Sequence, residues 1–384
     1  MKAFAFCIWE NGGFSLLKTI ILRGVPMKAL VLEEFKKPLV VREMPDPECT
    51  ADGVIVRVEA NGVCRSDWHA WQGDWDWIGI QLPLPHVLGH EFTGVVEEVG
   101  KNVKNFKRGD RVLVPFTLGD GTCPYCQSGH HNICENLQLA GFSTWGGYGR
   151  YAHIPLADTN LVTLPDTISF VDAAGMGCRF MTAFHGITDQ AAVRPGEWVA
   201  VHGCGGVGLS AIQIATALGA NVIAVDIGDD KLEFAKKLGA VAAVNAKDNN
   251  APEAIRHITK GGAHVSVDAL GITQTCQASI GSLRKRGRHL QIGLTTREEQ
   301  GMIPLPIDVI VSAEIQIVGS LGMQPSRYPY MLDMIAQGKL KPGSLVTNTI
   351  SLEEVPTIFH EMDTYQNLGV TVVDKWEAKQ PVGQ

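Results

Sequence analysis

The chain has 384 residues, 45% of them hydrophobic and 19% charged, with a formal net charge of −7 at pH 7. That length exceeds what one core usually fills and implies about two domains, while the ordinary composition excludes a disordered or fibrous chain. Acids and bases are interspersed with an acidic balance, which argues against nucleic acid as a partner, because its binders concentrate Lys and Arg on one face.

Residues 1–26 carry apolar patches interrupted by Glu10, Asn11 and the Gly12-Gly13 pair. No long apolar region or small-residue cleavage site follows, so the stretch is read as an upstream extension and not as a signal peptide. Met27 opens MKALVLEEFKKPLVVREMPDP, a strand and a turn. Up to about residue 160 the pattern is short alternating strands broken by Gly and Pro, as in GVIVRVEANGVC, GHEFTGVVEEVG and GDRVLVPF. Helical spacing of apolar residues begins in SFVDAAGMGCRFMTAFHGI.

A second rhythm follows. The strand EWVAVHG leads to the helix GVGLSAIQIATALGA, then the strand NVIAVD and the helix DKLEFAKKLGA, with further strands in AVAAVNA, HVSVDAL, RHLQIG and IQIVGS. Such alternation implies parallel βαβ units wound on both faces of one sheet. The tail from Leu321 has one helical piece, RYPYMLDMIAQGKL, and a closing strand, GVTVVDKW. It lacks a core-sized pattern and is expected to pack back on the first domain. The expected division is therefore 1–26, 27–178 with a cysteine lobe at 117–141, 179–320, and 321–384. No apolar run approaches the ~20 residues of a membrane helix, so no membrane partner is expected.

The turn after EWVAVHG reads GCGGVG, with Gly203, Gly205 and Gly208 in G-x-G-x-x-G register and Gly206 and Val207 opening the helix. The first glycine permits the tight turn, the second lets backbone approach a pyrophosphate, and the third lets helix pack on strand. The helix start then offers amide donors to the phosphates. Asp226 ends the next strand, where a carboxylate accepts from ribose hydroxyls and repels a 2′-phosphate, so the expected cofactor is NAD and not NADP. Lys231, five residues on, is a further candidate for the same ribose.

Nine cysteines, an odd number in a large chain, point to a reducing, cytoplasmic setting with metal or catalytic uses. Cys64, His90 and Cys178 stand far apart, but Ser66, Asp67 and His69 flank the first and Glu91 the second. Two cysteines and a histidine are a known catalytic zinc set that leaves one position open. Asp67 or Glu91 could supply the carboxylate that orients the histidine. In GDGTCPYCQSGHHNIC, Cys123, Cys126 and Cys134 have metal-ligand spacing, and Asp120 stands one C-x-x-C step upstream. A metal site with an unusual ligand, a redox pair and the remains of a site all fit that stretch.

Taken in order, GVCRSDWH, GHEFTGVVEEVG, GDRV, the cysteine lobe, the Gly177-Cys178 pair and GCGGVG with Asp226 resemble the zinc-dependent alcohol dehydrogenases of the medium-chain dehydrogenase/reductase superfamily. The resemblance spans about residues 27–375. It implies an α/β fold, with a GroES-like, mainly β catalytic domain and a doubly wound Rossmann domain for NAD. It makes Cys64, His90 and Cys178 the catalytic zinc ligands, Glu91 a carboxylate able to approach the metal, and Asp67 the residue holding the other nitrogen of His90. Ser66 would accept the substrate's hydroxyl proton, His69 would pass it on, and Arg65 would contact the pyrophosphate. Asp120, Cys123, Cys126 and Cys134 would hold a second, structural zinc. Family members often carry a basic residue near the C-terminus; here Val370 stands in its place, leaving more phosphate binding to Arg65 and the glycine turn. The family also implies a homo-oligomer, dimer or tetramer.

Trp68, Trp71, Trp75 and Trp77 crowd between two of the ligand candidates, and Phe116 follows VLVP. An aromatic wall including Trp75 and Phe116 would favour apolar or aromatic primary and secondary alcohols; a packed loop is the alternative reading of the same rings. A polyol dehydrogenase of the same superfamily and an inactive cofactor-binding relative are the rival readings. The first tends to use a carboxylate where Cys178 stands, and the second predicts the loss of a ligand.

Overall fold

The computed structural model describes residues 26–75, 79, 81–364 and 367–376. The expected extension lies outside them apart from Pro26, and so does Trp77. The chain divides into two compact units: Met1–Ala174 with Thr349–Asp363 and Val372–Gln384, and Gly175–Asn348 with Thr364–Thr371.

The first unit begins with a ribbon of β1 (Met27–Val31) and β2 (Val40–Met44). It continues through β3 (Val54–Val63), β4 (Glu91–Val99), β5 (Arg111–Leu113), β6 (Thr117–Leu118), β7 (Gln138–Leu139), β8 (Tyr151–Ile154) and β9 (Val162–Thr163). In β3 the alternate residues Val54, Val56 and Val58 meet Phe92, Val96 and Val112 in a buried cluster, as the two-residue period of a strand requires. β3 and β4 pair antiparallel, with Gly62 opposite Glu91. That register sets the end of β3, and Cys64 just beyond it, beside His90 just before β4.

The second unit holds β10 (Trp198–His202), β11 (Asn221–Asp226), β12 (Ala242–Asn245), β13 (Ala263–Asp268), β14 (Leu283–Gln291) and β15 (Gln316–Gly319) in one sheet, ordered β12-β11-β10-β13-β14-β15. All five pairings are parallel. Val199, Ala200, Val201, Val222, Ile223 and Ala224 are buried in consecutive runs, the signature of strands covered on both faces. Strand order reverses between β10 and β13, so the crevice at their carboxyl ends is the switch point where such sheets take ligands. β16 (Val346–Ser351) and β17 (Val370–Lys375) then complete the first unit's sheet, ordered β16-β17-β3-β4-β5-β9 with β8 also on β3. This is the mixed α/β fold that the sequence patterns imply.

Two placements differ from the expected division. The boundary falls after Ala174, so Cys178 belongs to the second unit, where its helix Cys178–His185 packs on the helix Gly206–Ala217. Residues 321–348, expected on the first domain, also cluster with the second unit. There Gln213 Nε2 donates to the Lys341 carbonyl (3.2 Å) and to Ser344 Oγ (3.0 Å). Among the described residues no helix is long and apolar enough to cross a membrane.

Candidate active site

Cys64 caps the helix Arg65–Gln72 with extended backbone, and its amide donates to Asp67 Oδ2 at 3.2 Å. Asp67 thus sits in the first helical turn, where a carboxylate complements the amide dipoles. Its other oxygen reaches further: Oδ1 accepts from His90 Nδ1 at 2.7 Å and from the Gly89 amide at 3.1 Å. Tyr148 Oη donates to Oδ2 at 3.5 Å. Gly89 has φ +95°, and a Cβ there would lie 2.7 Å from the Tyr148 amide, so only glycine lets the chain turn His90 toward Asp67.

With Nδ1 held, His90 Nε2 is buried without a hydrogen-bond partner among the described residues. Cys64, His90 and Glu91 each offer a ligand atom within 4.8 Å of the others, and all three side chains are buried. Burial opposes charge on His90, but the negative charge of Asp67 and Cys64 outweighs it and holds the imidazole well above its ordinary pKa. A dry pocket that favours positive charge and contains an orphaned imidazole nitrogen, a thiol and a carboxylate fits a zinc ion. Cys178 opens its own helix in the second unit.

Ser66 is half-buried, one helical turn before His69 on the same face. His69 Nδ1 lies 3.0 Å from Asp74 Oδ2. Gly73, at φ +68°, reverses the chain so that the Asp74 amide bonds the His69 carbonyl at 3.0 Å. Burial, chiefly, lowers the pKa of His69; Asp74 raises it and the Arg65 charge lowers it again. The ring is therefore neutral near pH 7 and able to take a proton. Arg65 itself donates to the Met362 carbonyl at 2.8 Å and lies 4.4 Å above the Trp68 ring.

The aromatic residues separate into three roles. Trp75 stacks on His69 with centroids 5.6 Å apart and tilts against Phe142 at 5.8 Å. Phe116 meets His90 edge-on at 5.8 Å and Phe142 meets it at 4.9 Å. Trp71 instead packs on Phe359 in the core, and Trp68 donates to Asp363 Oδ1 at 2.9 Å. Of the expected aromatic residues, Trp75 and Phe116 thus lie against the His69 and His90 rings; Phe142, Asp74 and Tyr148, which no local sequence signal marks, lie there with them.

In the cysteine lobe, Asp120, Cys123, Cys126 and Cys134 bring one ligand atom each within 4.8 Å of the rest. The amides of Asp120, Cys126 and Asn136 donate to sulfur: the first and third to Cys134 Sγ at 3.3 Å, the second to Cys123 Sγ at 3.4 Å. Amide donors aimed at sulfur stabilise thiolate charge, the form that binds metal. Hydrogen bonds from Asn136 and from the Cys123 and Thr122 amides hold the Asp120 carboxylate well below its usual pKa. Burial and the neighbouring thiols push Cys126 up to about 12, a proton that binding a cation would expel. This donor set also fits zinc.

In the second unit the glycine turn is tightly built. Gly203 has φ +93°, and a Cβ on Gly208 would come 1.7 Å from the Gly203 carbonyl oxygen. Gly205 faces open space, and Gly206 and Val207 begin the helix Gly206–Ala217. At the end of β11, Asp226 Oδ2 accepts from the Cys204 amide at 2.7 Å, and Oδ1 accepts from Ile227 and Gly228 at 2.8 and 3.0 Å. The carboxylate is thereby locked beside the turn. Lys231 follows, half-buried, on the helix Asp229–Lys237.

Known proteins resemble this chain along most of its length. Residues 50–166 match the alcohol dehydrogenase GroES-like domain and residues 206–337 the zinc-binding dehydrogenase domain. An alcohol dehydrogenase of Geobacillus stearothermophilus is 40% identical over 337 residues, 88% of this chain and 96% of that protein. An NAD-dependent alcohol dehydrogenase of Sulfurisphaera tokodaii is 33% identical over 356 residues, 90% of this chain and 99% of that protein. The structure of alcohol dehydrogenase TADH from Thermus sp. ATN1 has a TM-score of 0.83 at 31% identity, covering 91% of this chain and 100% of that one. With both domain types matched in order and identity at this level over nearly the whole length, the chain belongs to the zinc-dependent alcohol dehydrogenases of the medium-chain dehydrogenase/reductase superfamily.

Proposed function

We propose that this NAD-dependent alcohol dehydrogenase oxidises apolar or aromatic primary and secondary alcohols to aldehydes and ketones, reversibly, with Cys64, His90 and Cys178 as the ligands of a catalytic zinc. The observation that carries the reading is His90: one nitrogen is fixed by Asp67 at 2.7 Å and the other is buried with no hydrogen bond among the described residues. Zinc held by Cys64, His90 and Cys178 would supply Lewis-acid stabilisation of negative charge on the substrate oxygen, and NAD would supply the hydride acceptor. Asp67 orients His90, and Glu91 stands by as a second anionic donor. Ser66 Oγ accepts the substrate's hydroxyl proton, and His69 Nε2, the nitrogen that Asp74 leaves open, receives it for release to solvent. Arg65, Gly203, Gly205, Gly206, Val207 and Gly208 bind the pyrophosphate, and Asp226 with Lys231 the adenosine ribose. Trp75 and Phe116, with Phe142, line the substrate site, and their apolar rings support the choice of alcohols over polyols.

Asp120, Cys123, Cys126 and Cys134 hold a structural zinc, supported by the three amide-to-sulfur contacts. The enzyme works in the cytoplasm as a homo-oligomer, dimer or tetramer, without nucleic-acid or membrane partners; the odd cysteine count supports a reducing setting, the acidic balance argues against nucleic acid, and the oligomer is what the family implies. The test is an NADH absorbance screen over primary, secondary, aromatic and polyhydroxy alcohols, with and without a chelator. Turnover of apolar alcohols that disappears on zinc removal is expected. Activity surviving complete zinc removal would sink the mechanism, and a preference for polyols would overturn the substrate class.

A further inference from the structure

Asp268, at the carboxyl end of β13, is fully buried and surrounded by donors. Oδ1 accepts from the amides of Leu270 (3.0 Å) and Gly271 (3.2 Å) and from Thr275 Oγ1 (3.0 Å). Oδ2 accepts from Gln291 Nε2 at 2.9 Å, across the β13–β14 pair in which Asp268 stands opposite Gln291. The Asp268 carbonyl takes the amides of Ile292 and Gly293, and Gln291 Nε2 also donates to the Gly293 carbonyl at 2.7 Å. Behind Gln291, its Oε1 accepts from His289 Nε2 at 3.0 Å, leaving His289 Nδ1 to accept from Ser279 Oγ at 3.0 Å. Burial keeps His289 below its usual pKa, which preserves this neutral tautomer.

One carboxylate therefore ties together the loops that follow β13 and β14. They approach so closely that a Cβ on Gly271 would lie 2.0 Å from the Leu294 carbonyl oxygen, and one on Gly293 would lie 2.3 Å from the Gly271 amide. Leu270, hung from Asp268, packs where a Cβ on Gly203 would be 2.7 Å from its Cγ. Among the described residues Asp268 makes no ion pair, so its burial is compensated by hydrogen bonds alone, an arrangement that loses stability when any partner is removed.

We propose that Asp268, backed by Gln291, is a positioning residue for NAD: it fixes Leu270 and Gly271 as the wall beside the first glycine of the dinucleotide turn. The proposal rests on the assignment of that turn to NAD. Asp268→Asn turns an acceptor into a donor against Gln291 Nε2, and the wall should loosen. In the zinc-loaded enzyme, calorimetric titration should then show the Kd for NAD rising about tenfold. The Leu270 and Gly271 amides should lose hydrogen-exchange protection, while kcat at saturating NAD stays within about twofold. If the single variant does not fold, Thr275→Val, which removes one donor, should raise Kd about threefold. An unchanged Kd in a folded variant overturns the role of Asp268. Gly208→Ala separates the two levels. It should abolish NAD binding if the turn is the cofactor site, and unchanged affinity there would overturn that assignment itself.

Discussion

Asp67 Oδ1 lies 2.7 Å from His90 Nδ1, and both side chains are sealed from solvent. The same carboxylate also takes the amides of Cys64 and Gly89, so one side chain sets the positions of the two segments that carry the proposed ligands Cys64 and His90. Asp67→Asn is expected to weaken zinc retention about 10–100-fold, the usual cost of losing a ligand's orienting carboxylate. Competition with a chromogenic chelator measures it; parent-like retention would show that Asp67 does not set the ligand.

The Asp74–His69 contact gives a signed pH prediction. Burial is the largest cause lowering the His69 pKa, and Asp74 opposes it. Removing the carboxylate in Asp74→Asn should lower that pKa further, so the acid limb of the kcat/KM profile moves to lower pH. A shift to higher pH would exclude His69 as the proton acceptor. His69→Gln should slow alcohol oxidation most at and below neutral pH, where hydroxide cannot replace the lost base, while zinc content stays as in the parent.

Asp120→Ala removes a candidate ligand and the acceptor for the Thr122 and Cys123 amides. Elemental analysis should show the zinc content falling from two ions per subunit toward one, with a lower Tm and with oxidation of alcohol retained below that Tm. Two ions kept in the variant would show that Asp120 is not a ligand.

His202, wholly buried in the second unit, has its pKa pulled down to about 3, first by burial and then by the charge of His289. The unfolded chain takes up this proton below about pH 6.5 while the folded chain refuses it, so stability falls as pH drops from about 6.5 toward 3. Between pH 7 and 5 this one group should account for about 2 kcal/mol of lost stability. Urea titrations of the parent and His202→Gln test it. The variant should lose less stability over that interval, and an identical loss would show that His202 does not carry the dependence.

The elements that carry the glycine turn with Asp226, and the Cys64 and His90 segments, were legible as candidate regions because each signal is local: a strand, a turn and a helix start within a dozen residues. Asp67 was legible as one of two candidates for holding His90, and its 2.7 Å contact with His90 Nδ1 singles it out. Asp74, Phe142 and Tyr148 were not, since each reaches the site through a turn or a loop returning from elsewhere in the chain. Trp71 shows the opposite failure. Aromatic density between two ligands suggested a wall, but only the distant Phe359 decides that this ring belongs to the core. Residues 321–348 carry an ordinary helical pattern that names no partner, and hydrogen bonds of Gln213 to Lys341 and Ser344 settle which unit they join.

β17 lies between β16 and β3 in the first unit's sheet, although more than 300 residues of chain separate Val63 from Val370. During synthesis the strands β10 to β15 emerge as a nearly contiguous block and can assemble as soon as they are made. The older half of the polypeptide must wait, with the part of the β3 flank that β8 does not cover unpaired until Lys375 has left the ribosome. An unpaired flank is a template for wrong partners, so the interval between making β3 and making β17 is when a nascent chain is most exposed to aggregation.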